Sequence, residues 1–244
     1  ARQNLLQEGI PAWCIRVTGN TVVDALHWVA KQPPTPEMAE LLHQPGVGGL
    51  REQRTSDSFV SSAPPSPCSP ASLLLVTAHR RESFGRPLER VCQALREIAQ
   101  RGNGRVHLVY PVHPNPNVYG PVHHLLDGVD HVTLLPPVDY LTLVHLMKRS
   151  TLILTDSGGI QEEAPSLGVP VLVLREVTER PEAVEAGVAR VVGTDTERIV
   201  AETFRLLDDP EAHAAMARPV NPYGDGHAAG RIAKALLEWG TDEA

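Results

Sequence analysis

The strongest chemical pattern in the chain is a turn of small residues between a strand and a helix, Asp156-Ser157-Gly158-Gly159. The two glycines let the backbone approach a ligand closely, and the free N–H groups at a helix start favour a phosphate. Glu163, about one turn inside the helix, can accept hydrogen bonds from two sugar hydroxyls. This combination suits a nucleoside diphosphate, but it also fits a tight strand–helix turn that Ser157 caps.

A basic turn forms a second candidate site. His79, Arg80 and Arg81 follow the first buried strand directly and precede a helix. Arginine suits planar phosphate recognition, and histidine can donate to an oxygen or transfer a proton. The alternative is a solvated basic turn in which Glu82 neutralises one arginine.

Two more loops contain candidate ligand contacts. His113 lies in a proline-rich loop after the second strand, either as a ligand contact or as a turn histidine bonded to backbone. Arg180 precedes a helix that Pro181 can open, and it either reaches a ligand oxygen or pairs with Glu179 or Glu182. Because the chain has no HxH or HExxH spacing, we expect no metal site.

The elements that must position these residues alternate between strand and helix from residue 73 onward. The apolar runs are continuous rather than alternating, as in a parallel sheet that is covered on both faces. The fold class predicted is therefore α/β, a Rossmann-like parallel sheet with helices on both faces. Ligands of such sheets lie beyond the carboxyl ends of the strands, where the candidate residues fall. The predicted strands are Cys14–Val17, Leu73–Thr77, Val106–Val112, Val132–Leu135, Leu152–Thr155, Val169–Leu174 and Ala189–Val192.

Composition excludes several classes of protein. A formal net charge of −7 argues against nucleic acid as a partner. The three cysteines show no metal or disulfide spacing, which favours a reducing cytoplasm. No apolar run is long enough to cross a membrane, and no signal peptide is apparent.

Seven stretches together resemble the non-hydrolysing UDP-N-acetylglucosamine 2-epimerase family. They occur in the family's order and spacing, and they cover about residues 1–32 and 73–240. The stretches are VTGNTVVDAL, HRRESFG, YPVHPNPNV, LTDSGGIQEEAPSLGVPVLVLRE, TERPEAV, GTD and NPYGDG. The resemblance implies one half of a two-domain fold of the GT-B type, in which the second domain binds UDP.

The same resemblance implies a domain organisation. Residues 1–45 would hold the end of the first domain and the interdomain segment, and residues 73–244 the UDP-binding domain. Between them, residues 46–72 form a Ser/Pro-rich stretch that we expect to be a flexible loop. This loop is either a tolerated insertion or a site of phosphorylation or partner binding.

The resemblance also implies roles for the candidate residues. His79 contacts the diphosphate and is the catalytic candidate of this chain. Ser157, Gly158 and Gly159 hold phosphate, and Glu163 bonds the ribose hydroxyls.

Further implied contacts surround these residues. Arg180 reaches into the cleft, and Val138 and Leu143 border the uracil where the family often carries Gln and Phe. Arg81 and His113 are candidates for binding a second, activating UDP-N-acetylglucosamine.

The activity implied is interconversion of UDP-N-acetylglucosamine and UDP-N-acetylmannosamine by elimination and re-addition of UDP, without a cofactor, in a homodimer. Proton transfer at C2 needs a base, and the family's acid/base carboxylates belong to the first domain, which we expect this chain to lack. The alternatives are a GT-B glycosyltransferase and a non-catalytic UDP-sugar-binding module.

Overall fold

A computed structural model describes residues 2–43, 71–220 and 222–241. The Ser/Pro-rich stretch lies outside these residues except for its last two positions. Cys68 and Asn221 also lie outside them.

Six strands of the described chain form one sheet in which all neighbouring strands are parallel, in the order β3-β2-β1-β4-β5-β6. The four central strands β2, β1, β4 and β5 are almost entirely buried, because helices cover both faces of the sheet, whereas the edge strands β3 and β6 are partly exposed. The strands are β1 Ser72–Thr77, β2 Val106–Pro111, β3 Val132–Leu135, β4 Leu152–Thr155, β5 Val171–Val173 and β6 Ala189–Val191.

Helices connect the strands and flank the sheet. Side-chain capping starts several of them: Asn20 accepts from the Val22 N–H, and Asp139 accepts from the Thr142 N–H. The helices are α1 Arg2–Gln7, α2 Thr21–Val29, α3 Pro36–His43, α4 Arg86–Gly102, α5 Pro116–Leu126, α6 Tyr140–Arg149, α7 Gly158–Glu163, α8 Pro181–Glu185, α9 Thr196–Asp208, α10 Pro210–Met216 and α11 Ala228–Thr241.

Two hydrophobic cores lie on opposite faces of the sheet. On one face Leu74 and Val76 of β1 pack with residues of α4, α5 and α9. On the other face Leu73 and Leu75 pack with residues of α6 and α7, together with Leu26 of α2. The predicted α/β fold with helices on both faces is confirmed.

The strand order creates a crevice. After β1 the chain adds β2 and β3 on one side, and then returns to place β4 on the other side of β1. The connections that leave β1 and β4 therefore diverge, and ligands of open α/β sheets bind at this kind of point. The basic turn at residue 79 and the glycine pair at residue 158 both lie at the edge of the sheet where the carboxyl ends of β1 and β4 meet.

Two sequence predictions were wrong in detail. Cys14–Val17 is not a strand: a 3₁₀ turn covers Ala12–Cys14, and Ile15 is extended but pairs with no strand of the described sheet. The helix predicted to follow the turn Asp156-Ser157-Gly158-Gly159 begins earlier, at Gly158, and becomes 3₁₀ over Ala164–Leu167 because Pro165 has no N–H to donate.

Two further helices were not predicted, and each begins at a proline. Pro36 and Pro210 stand at first helical positions, where the missing N–H costs nothing. Oxygens of Thr35 and Asp209 cap the two helix starts.

The helices in the described ranges include none with the length and apolar character needed to span a bilayer.

Candidate functional site

The carboxyl ends of β1 and β4 are joined by side chains as well as by the sheet ladder. The hydroxyls of Thr77 and Thr155 are hydrogen-bonded at 2.6 Å inside the core. The Ser157 N–H donates to the Thr155 hydroxyl at 2.9 Å, and the Asp156 N–H donates to the Thr77 carbonyl at 3.0 Å. These bonds place the two loops that leave the strands side by side.

Asp156 orders the basic turn. Its Oδ2 accepts hydrogen bonds from the N–H groups of His79 at 2.8 Å and Arg80 at 2.7 Å. The residue is fully buried, and burial raises the pKa of its carboxyl, although the two N–H donors and His79 oppose that rise. A carboxylate directly after β4 thus determines the backbone path after β1.

The His79 ring lies between Asp156 and His113. Its Nδ1 is 3.9 Å from Asp156 Oδ1, and its ring stacks on His113 with centroids 5.2 Å apart and planes 12° from parallel. Burial lowers the pKa of His79, and His113 and Arg80 lower it further against the opposing charge of Asp156. His79 is therefore mainly neutral at neutral pH, and an anion beside it would favour its protonation.

The start of α7 combines free donors with two guanidinium groups. Ser157 occupies the N-cap position, but its hydroxyl makes no capping hydrogen bond, unlike the capping serine of a simple turn. A Cβ built on Gly158 would lie 3.5 Å from Arg80 Nη2 and 3.8 Å from Arg180 Cζ. Positive charge therefore flanks the helix start from two loops.

Glu163 is buried against a tyrosine at the inner end of the cleft. The Tyr140 hydroxyl donates to Glu163 Oε2 at 2.9 Å. Burial raises the pKa of Glu163, while the hydrogen bond from Tyr140 lowers it in part. The carboxylate keeps lone pairs for further donors, as a contact to hydroxyl groups requires.

Both alternative ion pairs proposed for the arginines are wrong. Arg180 pairs with Glu162 through its Nε, rather than with the carboxylates of Glu179 or Glu182. Glu82 pairs with Arg175, whose Nε lies 2.6 Å from Glu82 Oε1, rather than with an arginine of its own turn.

A cleft of about 280 Å³ lies at this edge of the sheet. It brings together seven of the predicted contact residues: His79, His113, Val138, Leu143, Ser157, Gly159 and Glu163. Thr77, Pro111, Val112, Pro137, Tyr140 and Ile160 complete its lining. Gly158 and Arg180 lie beside it, whereas Arg81 is exposed on the 3₁₀ turn Arg81–Ser83 and does not line it.

Sequence reasoning gave no role to Asp156, Tyr140 or Glu162. An acidic residue directly after a buried strand signals the first, and a tyrosine just after the N-cap Asp139 signals the second. Neither signal identifies the partner, because the partners come from distant parts of the chain. In the described ranges no group of three or more His, Cys, Asp or Glu side chains is arranged to hold a metal ion.

A family model described as UDP-N-acetylglucosamine 2-epimerase matches residues 1–237. A Salmonella typhimurium protein named UDP-N-acetylglucosamine 2-epimerase is 52% identical over 242 residues, which cover 98% of this chain and 59% of the relative. The chain thus spans about three-fifths of the length of such relatives.

Solved structures agree with the sequence comparison. The UDP-GlcNAc 2-epimerase of Neisseria meningitidis, crystallised with UDP-GlcNAc, superposes with a TM-score of 0.83 at 40% identity, over 97% of this chain and 59% of that one. S. aureus MnaA, solved with UDP, superposes with a TM-score of 0.81 at 36% identity, over 98% of this chain and 58% of that one.

The role of Asp156 is testable by two substitutions. Asp156→Ala leaves two N–H groups of the basic turn without an acceptor, so we expect the free energy of unfolding to fall by about 2–4 kcal/mol. Asp156→Asn retains an acceptor oxygen, so its free energy of unfolding should fall by less than half as much. Urea unfolding followed by circular dichroism measures both, with the exposed Asp130→Ala as a control that changes stability by under ~0.5 kcal/mol. Equal losses in the Ala and Asn variants would contradict the acceptor role.

Proposed function

Because the chain belongs to the UDP-N-acetylglucosamine 2-epimerase family, we propose that its cleft binds the UDP part of a nucleotide sugar. In this proposal it forms the nucleotide-binding part of an enzyme that interconverts UDP-N-acetylglucosamine and UDP-N-acetylmannosamine. The observation that carries the proposal is the juxtaposition of the helix start at Gly158 with the buried carboxylate of Glu163. It places anion donors and a hydroxyl acceptor in one cleft.

The diphosphate would lie at the start of α7. The N–H groups of Gly158 and Gly159 have no intrahelical acceptor there, and the positive end of the helix dipole favours an anion. Ser157 adds a hydroxyl, His79 lines the same cleft, and Arg180 approaches Gly158 from a neighbouring loop. A diphosphate at this position would raise the pKa of His79 and so favour its protonated form, which is a charged donor.

The nucleoside would extend from the diphosphate toward Glu163. A carboxylate can accept hydrogen bonds from both ribose hydroxyls, and the Tyr140 bond holds it in place. Val138 and Leu143 line the same cleft and offer apolar contacts to the base. They cannot form the hydrogen bonds that an amide side chain would provide, so recognition of the uracil edge would depend on backbone groups.

His79 is the catalytic residue that we propose within this chain. Beside the diphosphate it would stabilise the negative charge that develops on departing UDP, and it would release that stabilisation on re-addition. Abstraction of the C2 proton requires a further base, which we assign to the part of the relatives that this chain does not span. Arg81 and His113 remain candidates for contacts with an activating second nucleotide sugar.

A homodimer in the cytoplasm is the assembly and location that we propose, on the basis of the family resemblance and of the unpaired cysteines. Within the described residues Cys14 and Cys92 are free thiols, as expected in a reducing compartment. Light scattering of the complete gene product and cell fractionation measure the two properties.

Calorimetry with UDP and uridine tests the proposed site. We expect clearly tighter binding of UDP, because only UDP engages the donors at Gly158. Glu163→Ala should weaken binding of both ligands by ~1–3 kcal/mol, since it removes the acceptor of the ribose hydroxyls. Glu197→Ala, an exposed substitution on α9 across the sheet, should change neither affinity. Equal affinity for UDP and uridine would show that the phosphate site is assigned wrongly.

An NMR time course with UDP-N-acetylglucosamine tests whether the base that abstracts the C2 proton lies outside this chain. We expect this chain alone to yield no UDP-N-acetylmannosamine, because a missing base typically costs ~10²–10⁴-fold in rate. The complete gene product should form it, with the Salmonella typhimurium relative as the positive control. Turnover by this chain at the rate of the complete protein would place the base among its own residues, His79 first. An inactive complete protein that still binds UDP would favour a binding module.

A further inference from the structure

The two adjacent glutamates of α7 have different partners, although only one of them borders the cleft. We infer that Glu162 is a positioning residue, which holds Arg180 in the geometry that binds the diphosphate. This inference rests on the proposed function, because it assigns Arg180 to the phosphate end of the nucleotide.

Glu162 is held between two donors and is nearly buried. Its Oε1 accepts from Arg180 Nε, and its Oε2 accepts from Asn20 Nδ2 at 2.6 Å. The side chain is only 13% exposed. Both carboxylate oxygens are thus engaged within the protein, which suits a positioning role better than a ligand contact.

The bond to Glu162 leaves part of the Arg180 guanidinium directed at the helix start. Nε is used by Glu162, and Nη1 donates to the Glu179 carbonyl at 3.1 Å. Nη2 has no hydrogen-bond acceptor in the described part of the chain and lies 3.8 Å from a Cβ built on Gly158. An oxyanion bound at Gly158 would therefore contact Nη2 of a guanidinium whose Nε and Nη1 are already held by hydrogen bonds.

Asn20 supplies the second constraint on Glu162. Its Oδ1 accepts from the Val22 N–H at 3.0 Å and caps α2, so its amide orientation is set. Its backbone N–H donates to the Tyr223 carbonyl at 2.8 Å, and the Tyr223 hydroxyl is 3.5 Å from the Arg180 carbonyl. The Arg180 loop is therefore held at both its side chain and its backbone.

The physical gain from this arrangement is preorganisation. A free arginine side chain loses rotamer entropy when it is immobilised on a ligand. Glu162 fixes the side chain before the ligand arrives, at the cost of a carboxylate that repels the phosphate. The repulsion between Glu162 and the phosphate is the smaller effect, because the Glu162 charge is compensated by Arg180 and Asn20.

A double-mutant cycle with Glu162→Gln and Arg180→Gln tests the inference by calorimetric titration of UDP and uridine. Glu162→Gln keeps the shape but removes the charge, and its amide opposes the Asn20 amide. We expect it to weaken UDP binding roughly tenfold and to leave uridine binding unchanged. In the Arg180→Gln background it should have less than a twofold further effect, because Glu162 acts through Arg180. A role in stability alone would not produce this dependence.

Asn20→Ser provides a second variant, because it retains a capping oxygen for α2 while it removes the Nδ2 donor. We expect a loss of UDP affinity smaller than that of Glu162→Gln, again absent in the Arg180→Gln background. Thermal unfolding of each variant verifies that it is folded.

Three results would overturn the inference. Equal losses of UDP affinity with and without Arg180 would mean that Glu162 acts elsewhere. Tighter UDP binding by Glu162→Gln would mean that Glu162 competes with phosphate for Arg180. Unchanged UDP affinity in Glu162→Gln, with Glu163→Ala still weakening binding, would reject the positioning role alone. If wild-type protein does not prefer UDP over uridine, the proposed function is rejected together with the positioning role.

Discussion

Two backbone N–H groups share one buried carboxylate oxygen, and the rest of the site depends on this contact. The basic turn after β1 has no regular structure to satisfy its donors, and a buried N–H without an acceptor is costly. Asp156, one residue beyond β4, provides the acceptor for both His79 and Arg80. The strand order makes this contact available, because β4 is the neighbour of β1 in the sheet although 78 residues separate Thr77 and Thr155 along the chain.

This contact orders residues on both sides of the cleft. On the β1 side the His79 ring is held against His113, where burial lowers the pKa of His79. On the β4 side the chain passes directly into α7, whose first turn supplies anion donors. Successive residues of a helix point about 100° apart, so Glu162 and Glu163 serve different sides of the same element. One contacts Arg180 and the other faces the hydroxyl of Tyr140.

The sequence predicted the elements well where local signals were strong. The strands Val132–Leu135 and Leu152–Thr155 have the predicted bounds, since prolines end the first run and the polar residues Thr151 and Asp156 flank the second. Most of the predicted contact residues meet in one cleft because they all follow strands of one parallel sheet. The partners of Asp156, Glu162 and Tyr140 could not be predicted, because each contact joins segments that only the tertiary fold brings together. The start of α7 was misplaced because glycines disfavour helix by propensity, whereas here the helix begins on them.

Hydrogen–deuterium exchange with and without saturating UDP tests most directly whether the nucleotide lies in this cleft. The account predicts that UDP slows exchange at the amides of residues 157–163 and 79–81, because the phosphate engages the donors at Gly158 and orders the basic turn beside them. The amides of α9, on the other face of the sheet, should exchange at an unchanged rate. UDP binding that protects α9 and leaves residues 157–163 unaffected would contradict this assignment.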